Sequence, residues 1–266
     1  MVAVTLVATF AIVAGYLQAT APAIQRNLYY HAQNWPADRA PIRMILISDI
    51  HVVAPETPPS RIAALVKRLN VLSPDCVLIA GDLVSDKALA TRHIPFDEAL
   101  APFAKLTPRI ATYVVRGNHD HWRDGSDAIS AIKQHNMVPL VNAAARCGDV
   151  TVGGVDDIHT RNDDVPRTKA AMAALGGTPV LLSHSPDIFP EDGQTGLTLA
   201  GHTHCGQIKL PLIGAPAIPS AYGKRFECGI IRENGRTVVV SSGIGTSIVP
   251  LRWFVPPDFW LVTIGH

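Results

Sequence analysis

Beyond residue 41 the chain alternates short apolar runs with segments whose apolar positions recur every three or four residues. The runs are Ile42–Ile47 (IRMILI), Cys76–Ala80 (CVLIA), Ala111–Val115 (ATYVV), Val180–Leu182 (VLL) and Leu197–Ala200 (LTLA). Their length and β-branched content predict buried strands. Between them Ser60 is placed to cap a helix over RIAALVKRLNVL, and PFDEALAPFAKL, SDAISAIKQH and RTKAAMAAL carry further helical spacing. Strands alternating with helices imply βαβ units and a largely parallel sheet. Near the end, CGIIRENGRTVVVSSG predicts a hairpin turning at Asn234-Gly235. The expected fold class is therefore α/β, a two-sheet β-sandwich flanked by helices.

The N-terminus has a different pattern. No charged side chain occurs from Met1 to Gln25, and the first is Arg26. An apolar stretch that reaches Ile24 approaches the about 20 residues a bilayer span needs. Tyr29, Tyr30 and Trp35 come next, where interfacial aromatics sit. The expectation is an N-terminal hydrophobic helix as membrane anchor over residues 1–25, a linker over 26–41 that includes NWPADRAP, and one domain over 42–266. A cleaved signal peptide is the rival reading: ATA resembles a cleavage site, but no positive n-region precedes it. Positive charge lies on the C-terminal side of the stretch (Arg26, Arg39, Arg43), which places the domain on the cytoplasmic side.

Composition narrows the picture. With 23 Lys+Arg against 22 Asp+Glu and no basic stripe, phosphate-backbone binding to nucleic acid is excluded. Cys76, Cys147, Cys205 and Cys228 form no CxxC, so a zinc ribbon is excluded. In a domain this large they are expected as four unpaired thiols.

The residues just past each apolar run carry the chemistry. The runs lead, in order, into Asp49-Ile50-His51, Gly81-Asp82, Gly117-Asn118-His119-Asp120, Ser183-His184 and Gly201-His202-Thr203-His204. Ligands bind at the C-terminal strand edge of open α/β sheets, so these groups should converge. In an extended segment, Asp-x-His and His-x-His would turn both side chains the same way. The carboxylate, imidazole and amide donors suit Mn²⁺, Fe or Zn²⁺. Asp49, His51, Asp82, Asn118, His184, His202 and His204 exceed what one catalytic ion uses, so two divalent ions are implied, with Asp82 the natural bridge. Two such cations leave a net positive charge that attracts a phosphate-ester substrate. A single iron held by two histidines and a carboxylate is the alternative chemistry, against which Asn118 and the surplus of donors argue.

The ordered set DxH, GD, GNHD, His and GHxH resembles the calcineurin-like metallophosphoesterase superfamily. GVDDIHT, GHTHCGQI, SSGIGTS and LRWFVPPDFWLVTI look like its bacterial membrane-associated branch, which includes phosphodiesterases and UDP-2,3-diacylglucosamine pyrophosphatases. The resemblance implies one metal on Asp49, His51, Asp82 and His204, and another on Asp82, Asn118, His184 and His202. It implies in-line attack by a hydroxide bridging the metals on a phosphodiester or pyrophosphate, with a membrane-derived or nucleotide-lipid substrate and a location at the bacterial inner membrane. His119 would stabilise the transition state or protonate the leaving oxygen, oriented by Asp120. Arg116 faces either phosphate or a structural partner. A broad phosphomonoesterase and a non-catalytic membrane scaffold on the same fold are the alternatives. Three departures stand out: Ser85 where the family often has an acid, with Asp86 one residue later; Val52-Val53 after DIH; and Cys205 where glycine is usual. Cys205 is expected to pack as a small apolar side chain.

Overall fold

All five apolar runs form strands, divided between two sheets. The computed structural model describes residues 2–33 and 35–266; Met1 of the expected anchor and Asn34 of the expected linker lie outside the described residues. In its first half the chain runs α1 (Val2–Thr20), β1 (Ile24–His31), β2 (Ile42–Ile47), β3 (Val53–Ala54), α2 (Pro59–Val71), β4 (Cys76–Ala80), β5 (Arg92–His93), α3 (Phe96–Leu100), β6 (Ala111–Val115) and α4 (Asn118–Gln134). It continues with β7 (Val138–Pro139), β8 (Ala143–Cys147), β9 (Val150–Gly154), α5 (Val165–Leu175), β10 (Thr178–Leu182), α6 (Ile188–Asp192), β11 (Leu197–Ala200), β12 (Gly229–Glu233), β13 (Arg236–Val240) and β14 (Asp258–Gly265).

One six-stranded sheet has the order β1-β14-β2-β4-β6-β7 and the other β12-β13-β11-β10-β9-β8. Met44, Leu46, Leu78 and Val115 of the first meet Val152, Val180, Leu182 and Leu199 of the second in a core between the sheets. The alternate side chains Ile45, Ile47, Val77 and Ile79 point the other way, onto Ile62, Leu69, Leu100 and Ile132 of the helical layer. Burial on both faces explains why β2 and β4 read as continuous apolar runs. The Asn234-Gly235 turn is present, with both residues at positive φ between antiparallel β12 and β13. Two helix starts differ from expectation. Pro58 occupies the N-cap of α2, which puts Ser60 inside the first turn. The fourth helix opens at Asn118, within the GNHD motif itself.

The N-terminal expectations change most. Helix α1 is uncharged and 19 residues long, about 28 Å at 1.5 Å per residue. Its second half is engaged by the domain: Trp253 Nε1 donates to Ala11 O at 3.1 Å, Arg252 N donates to Gly15 O at 3.0 Å, and Ala19 is buried. Among the described residues no helix is long and apolar enough to cross a membrane, so the expected span is not supported. The expected anchor end and linker instead contain β1, which pairs in parallel with β14 from Ile24↔Asp258 to His31↔Gly265. As an edge strand β1 buries only Leu28, so no apolar run marks it in the sequence.

The cysteines are also corrected. Cys76 pairs with Cys147, Cys205 pairs with Cys228, and no free cysteine remains. Cys76 on β4 and Cys147 on β8 lie in facing sheets, so the first bond crosses the sandwich core. The second joins the turn after β11 to the start of the β12 hairpin. Sequence separations of 71 and 23 residues correspond to about 4 and about 3 kcal/mol of lost chain entropy in the unfolded state. Thiol titration of the native protein should find none of the four reactive, and reductant should shift the urea midpoint downward. Four titrating thiols without reductant would refute both pairings.

Candidate metal centre

Strands β2, β4 and β6 are adjacent and parallel, as are β10 and β11 in the facing sheet. Their C-terminal ends open on one edge, and all seven expected metal-binding residues are buried there. Backbone bonds stitch the turns together. Asp49 N donates to Gly81 O at 3.1 Å, His51 N to Asp82 O at 2.9 Å, and Gly201 N to His184 O at 2.9 Å.

Two groups of donor atoms result. In the first, His51 Nε2 lies 3.1 Å from His204 Nε2 and 3.4 Å from Asp82 Oδ2, while His204 Nε2 lies 3.5 Å from Asp49 Oδ1. In the second, His184 Nε2 is 3.3 Å from Asp82 Oδ2, 3.1 Å from Asn118 Oδ1 and 3.1 Å from His202 Nδ1. The Asp82 carboxylate belongs to both. Thus His202 and His204, separated by Thr203 alone, face different groups.

The reason Asp49 and His51 converge is not the extended backbone that period-two spacing suggests. Asp49, His51, Asp82, His202 and His204 have φ of 48, 45, 51, 67 and 49°, all in the left-handed region. Such conformations cost roughly 1–3 kcal/mol each and persist where surrounding structure imposes them. Here that structure includes two glycines allowing close approach. A Cβ on Gly117 would collide with the Asp82 carboxylate, and one on Gly201 would collide with Ser48 Oγ and the Asp49 carboxylate.

Electrostatics suits metal binding. Burial holds His51, His202 and His204 well below the usual imidazole value, so their rings are neutral, as ligation requires. Neutral nitrogens turned on each other, as in His51 and His204, can share at most one proton; a cation between them satisfies both. Burial also lowers His184, but the Asp82 carboxylate, with Asp49, outweighs it and lifts the group to about 10. His184 Nδ1 faces Ala80 O at 2.8 Å, which leaves Nε2 for the centre. Burial raises Asp49 to about 6. Burial likewise pushes Asp82 up, yet the His184 and His51 imidazoles hold it well below the usual carboxylate range. The donor set therefore fits two divalent cations. Ligand atoms of Asp49, His51 and His204 lie within 4.8 Å of one another, as do those of Asp82, His184 and His202.

The partner expected for His119 is wrong. Asp120 is the third residue of α4, and its carboxylate turns back to accept from Gly117 N at 2.9 Å and Leu83 N at 2.8 Å. It braces the turn beneath the helix. Burial, with Asp82 nearby, raises it to about 7. Asp86 instead meets His119 Nδ1 at 2.6 Å, leaving His119 Nε2 4.0 Å from Asp82 Oδ2. Trp122 packs edge-on against the His119 ring. The signal for Asp86 was present in the sequence as an acid displaced by one position from the family's spacing.

Arg116 has a structural partner: it pairs with Asp156, which also meets His121 Nε2 at 3.0 Å. His159 stacks on His202 at 4.1 Å between ring centroids. The sequence reading missed Arg252. Its fully buried guanidinium donates to Gly245 O, to Ser242 O at 2.6 Å and to Val255 O at 3.3 Å, and lies 3.5 Å from His204 Nδ1. It fastens the loop after β13 behind that histidine.

The family model described as calcineurin-like phosphoesterase matches residues 42–206. An uncharacterized metallophosphoesterase of Bacillus subtilis, YkuE, is 28% identical over 208 residues, covering 74% of this chain and 70% of the relative. A bovine transmembrane protein with metallophosphoesterase domain is 30% identical over 269 residues, 93% of this chain and 58% of the relative. The zebrafish protein of the same description is 28% identical over 258 residues, 90% and 56%. This chain thus spans a little over half the length of these vertebrate relatives. Among solved structures, a 5'-nucleotidase precursor from Thermus thermophilus aligns over 77% of this chain and 50% of its own, with TM-score 0.47 and 14% identity.

Proposed function

From the premise that the chain belongs to the calcineurin-like phosphoesterases, metal-dependent hydrolases of phosphoric esters, we propose that it cleaves a phosphodiester or pyrophosphate bond in an amphiphilic substrate. The observation that carries the hydrolytic part is the pair of buried donor groups sharing Asp82. One ion would sit among Asp49, His51, Asp82 and His204, the other among Asp82, Asn118, His184 and His202. Two divalent cations there would lower the pKa of water toward neutrality and offset phosphate charge.

The chain's own groups supply the rest. His119 is the partly exposed member of the centre, with Nδ1 held by Asp86 and Nε2 turned to the Asp82 side. It is placed to give a proton from Nε2 to the departing oxygen as the P–O bond breaks. Nearby cations are already engaged: Arg116 by Asp156, Arg252 by backbone carbonyls, and Lys87 by Glu56 and Thr246. None of these three is free to take the second charge of a phosphomonoester, which favours a diester or pyrophosphate bearing one charge per phosphate.

The two disulfides change the expected membrane side. Such bonds persist in oxidising compartments, so we read the domain as extracytoplasmic in place of cytoplasmic.

The test is a hydrolysis panel on the full chain with Mn²⁺, comparing p-nitrophenyl phosphate, bis-p-nitrophenyl phosphate and a nucleotide pyrophosphate. Diester or pyrophosphate turnover should exceed monoester turnover by about tenfold or more. A monoester preference would overturn the diester reading, and no turnover of any member would favour the scaffold alternative.

A further inference from the structure

A cavity of about 270 Å³ lies directly beside the metal centre, with His204 forming part of its wall. Ile208, Pro216, Pro219, Ile248 and Val249 line most of it and no Asp, Glu, Lys or Arg does; of its polar side chains besides His204, Thr203 Oγ1 donates to Glu227 O, and Gln207 donates to Val249 O and accepts from Ser247 N. Neither a sugar nor a nucleobase finds many polar partners there; a hydrocarbon chain does not need them.

The cavity's rim continues into an exposed apolar surface. Ile248 belongs to the lining and is 80% exposed. Leu212 and Ile213, at the tip of the loop that carries Pro216 to Pro219, are also exposed, as is Phe254. The backbone connects these pieces: Lys209 N donates to Trp253 O at 2.9 Å, and Trp253 Nε1 holds Ala11 O of α1. That helix adds Val4, Leu6, Val7, Phe10 and Val13, all more than half exposed. A helix apolar on every side needs cover, and a patch of this extent marks an interaction surface. The Lys224 ammonium lies beside Gly214 at the loop tip, so a cation borders the apolar tip as at an anionic lipid surface. The Cys205–Cys228 bond ties both ends of this loop to the turn that carries His204.

We infer that this face rests on an anionic lipid surface, and that the cavity takes an acyl chain of a lipid phosphate ester whose phosphate lies at the metal centre. The inference rests on the phosphoesterase reading and specifies its substrate. Helix α1 lies in the interface without spanning the bilayer, because its second half is held by Trp253 and Arg252. The occupant is a chain from the membrane; a second copy of this protein is the competing cover.

The test uses the full chain with Mn²⁺. Methyl, butyl and octyl p-nitrophenyl phosphodiesters are assayed below their micelle concentrations, and binding of methyl- and octylphosphonate is measured by calorimetry. From methyl to octyl, both kcat/KM and affinity should rise at least about tenfold, since each buried methylene adds favourable transfer. In Ile248→Asp and Val249→Asp the octyl-to-methyl ratio should fall toward one; Ile248 is exposed, so its replacement leaves the core intact. In Leu212→Asp/Phe254→Asp, sedimentation with phosphatidylglycerol–phosphatidylcholine vesicles should drop severalfold. Hydrolysis that is flat with chain length, together with flat phosphonate binding, overturns the acyl site and leaves the hydrolase standing. No hydrolysis of any ester overturns the hydrolase, while the phosphonate series still reports the cavity. A stable dimer with no chain-length dependence assigns the face to a second copy and overturns the lipid proposal.

Discussion

Asp82→Ala is expected to strip both metal ions from the protein and to lower turnover by at least about 10⁴-fold, or about 5.5 kcal/mol of barrier. Its Oδ2 lies 3.4 Å from His51 Nε2 and 3.3 Å from His184 Nε2, so it is common to both donor groups. Its Oδ1 accepts from His119 N at 3.0 Å, which fixes the carboxylate's orientation. Without it, four buried imidazoles face one another with only Asp49 to balance two divalent cations. Asp82→Asn is the sharper control: it keeps the volume and one oxygen, and loses the charge. Metal content by mass spectrometry and ester hydrolysis are read together, with circular dichroism confirming the fold. Two retained ions or wild-type turnover in either variant would refute the shared-ligand assignment. The same carboxylate governs how metal uptake depends on pH. His184, lifted to about 10 by Asp82 and Asp49 against its burial, carries a proton at pH 7 in the metal-free protein. A metal must displace it, so uptake releases a proton and affinity rises with pH toward 10.

How much of this was legible in the sequence depends on whether a feature is local. The strands β2, β4, β6, β10 and β11 were visible because burial on both faces makes them continuous apolar runs. The donors at their ends were visible because a parallel sheet presents its C-terminal ends together. The left-handed backbone at Asp49 and His51 was not, since neither residue is glycine and no local signal demands it. Strand β1 was hidden because its partner β14 lies over 200 residues away and Leu28 is its one buried side chain. Both disulfides were hidden for a related reason: pairing depends on which chain segments meet, and spacing alone does not reveal it. The orienting role expected of Asp120 falls to Asp86, which the sequence marks only as a displaced acid. Adjacency in GNHD suggested Asp120, but helix α4 begins inside that motif and turns the Asp120 carboxylate beneath it.

The contact from Asp86 makes His119 the most informative residue after Asp82. His119→Ala should keep both metal ions and lose about 10²–10³-fold in kcat, the range for removal of a positioned general acid. The prediction separates two readings that geometry alone permits, because His51, Asp82 and His119 also present ligand atoms within 4.8 Å of one another. If His119 were a ligand, the variant would lose an ion. As an acid, it should matter more for an alkyl leaving group, which needs the proton, than for p-nitrophenolate, which leaves readily as an anion. Asp86→Asn should give the same leaving-group dependence at a smaller cost, about tenfold, since it removes the charge 2.6 Å behind Nδ1 and leaves the ring in place. Asp120→Asn should show no such leaving-group dependence, because its carboxylate contacts Gly117 N and Leu83 N; its cost should fall on folding stability. A uniform loss across leaving groups in His119→Ala, or a missing ion, would remove the proton-donor role from His119.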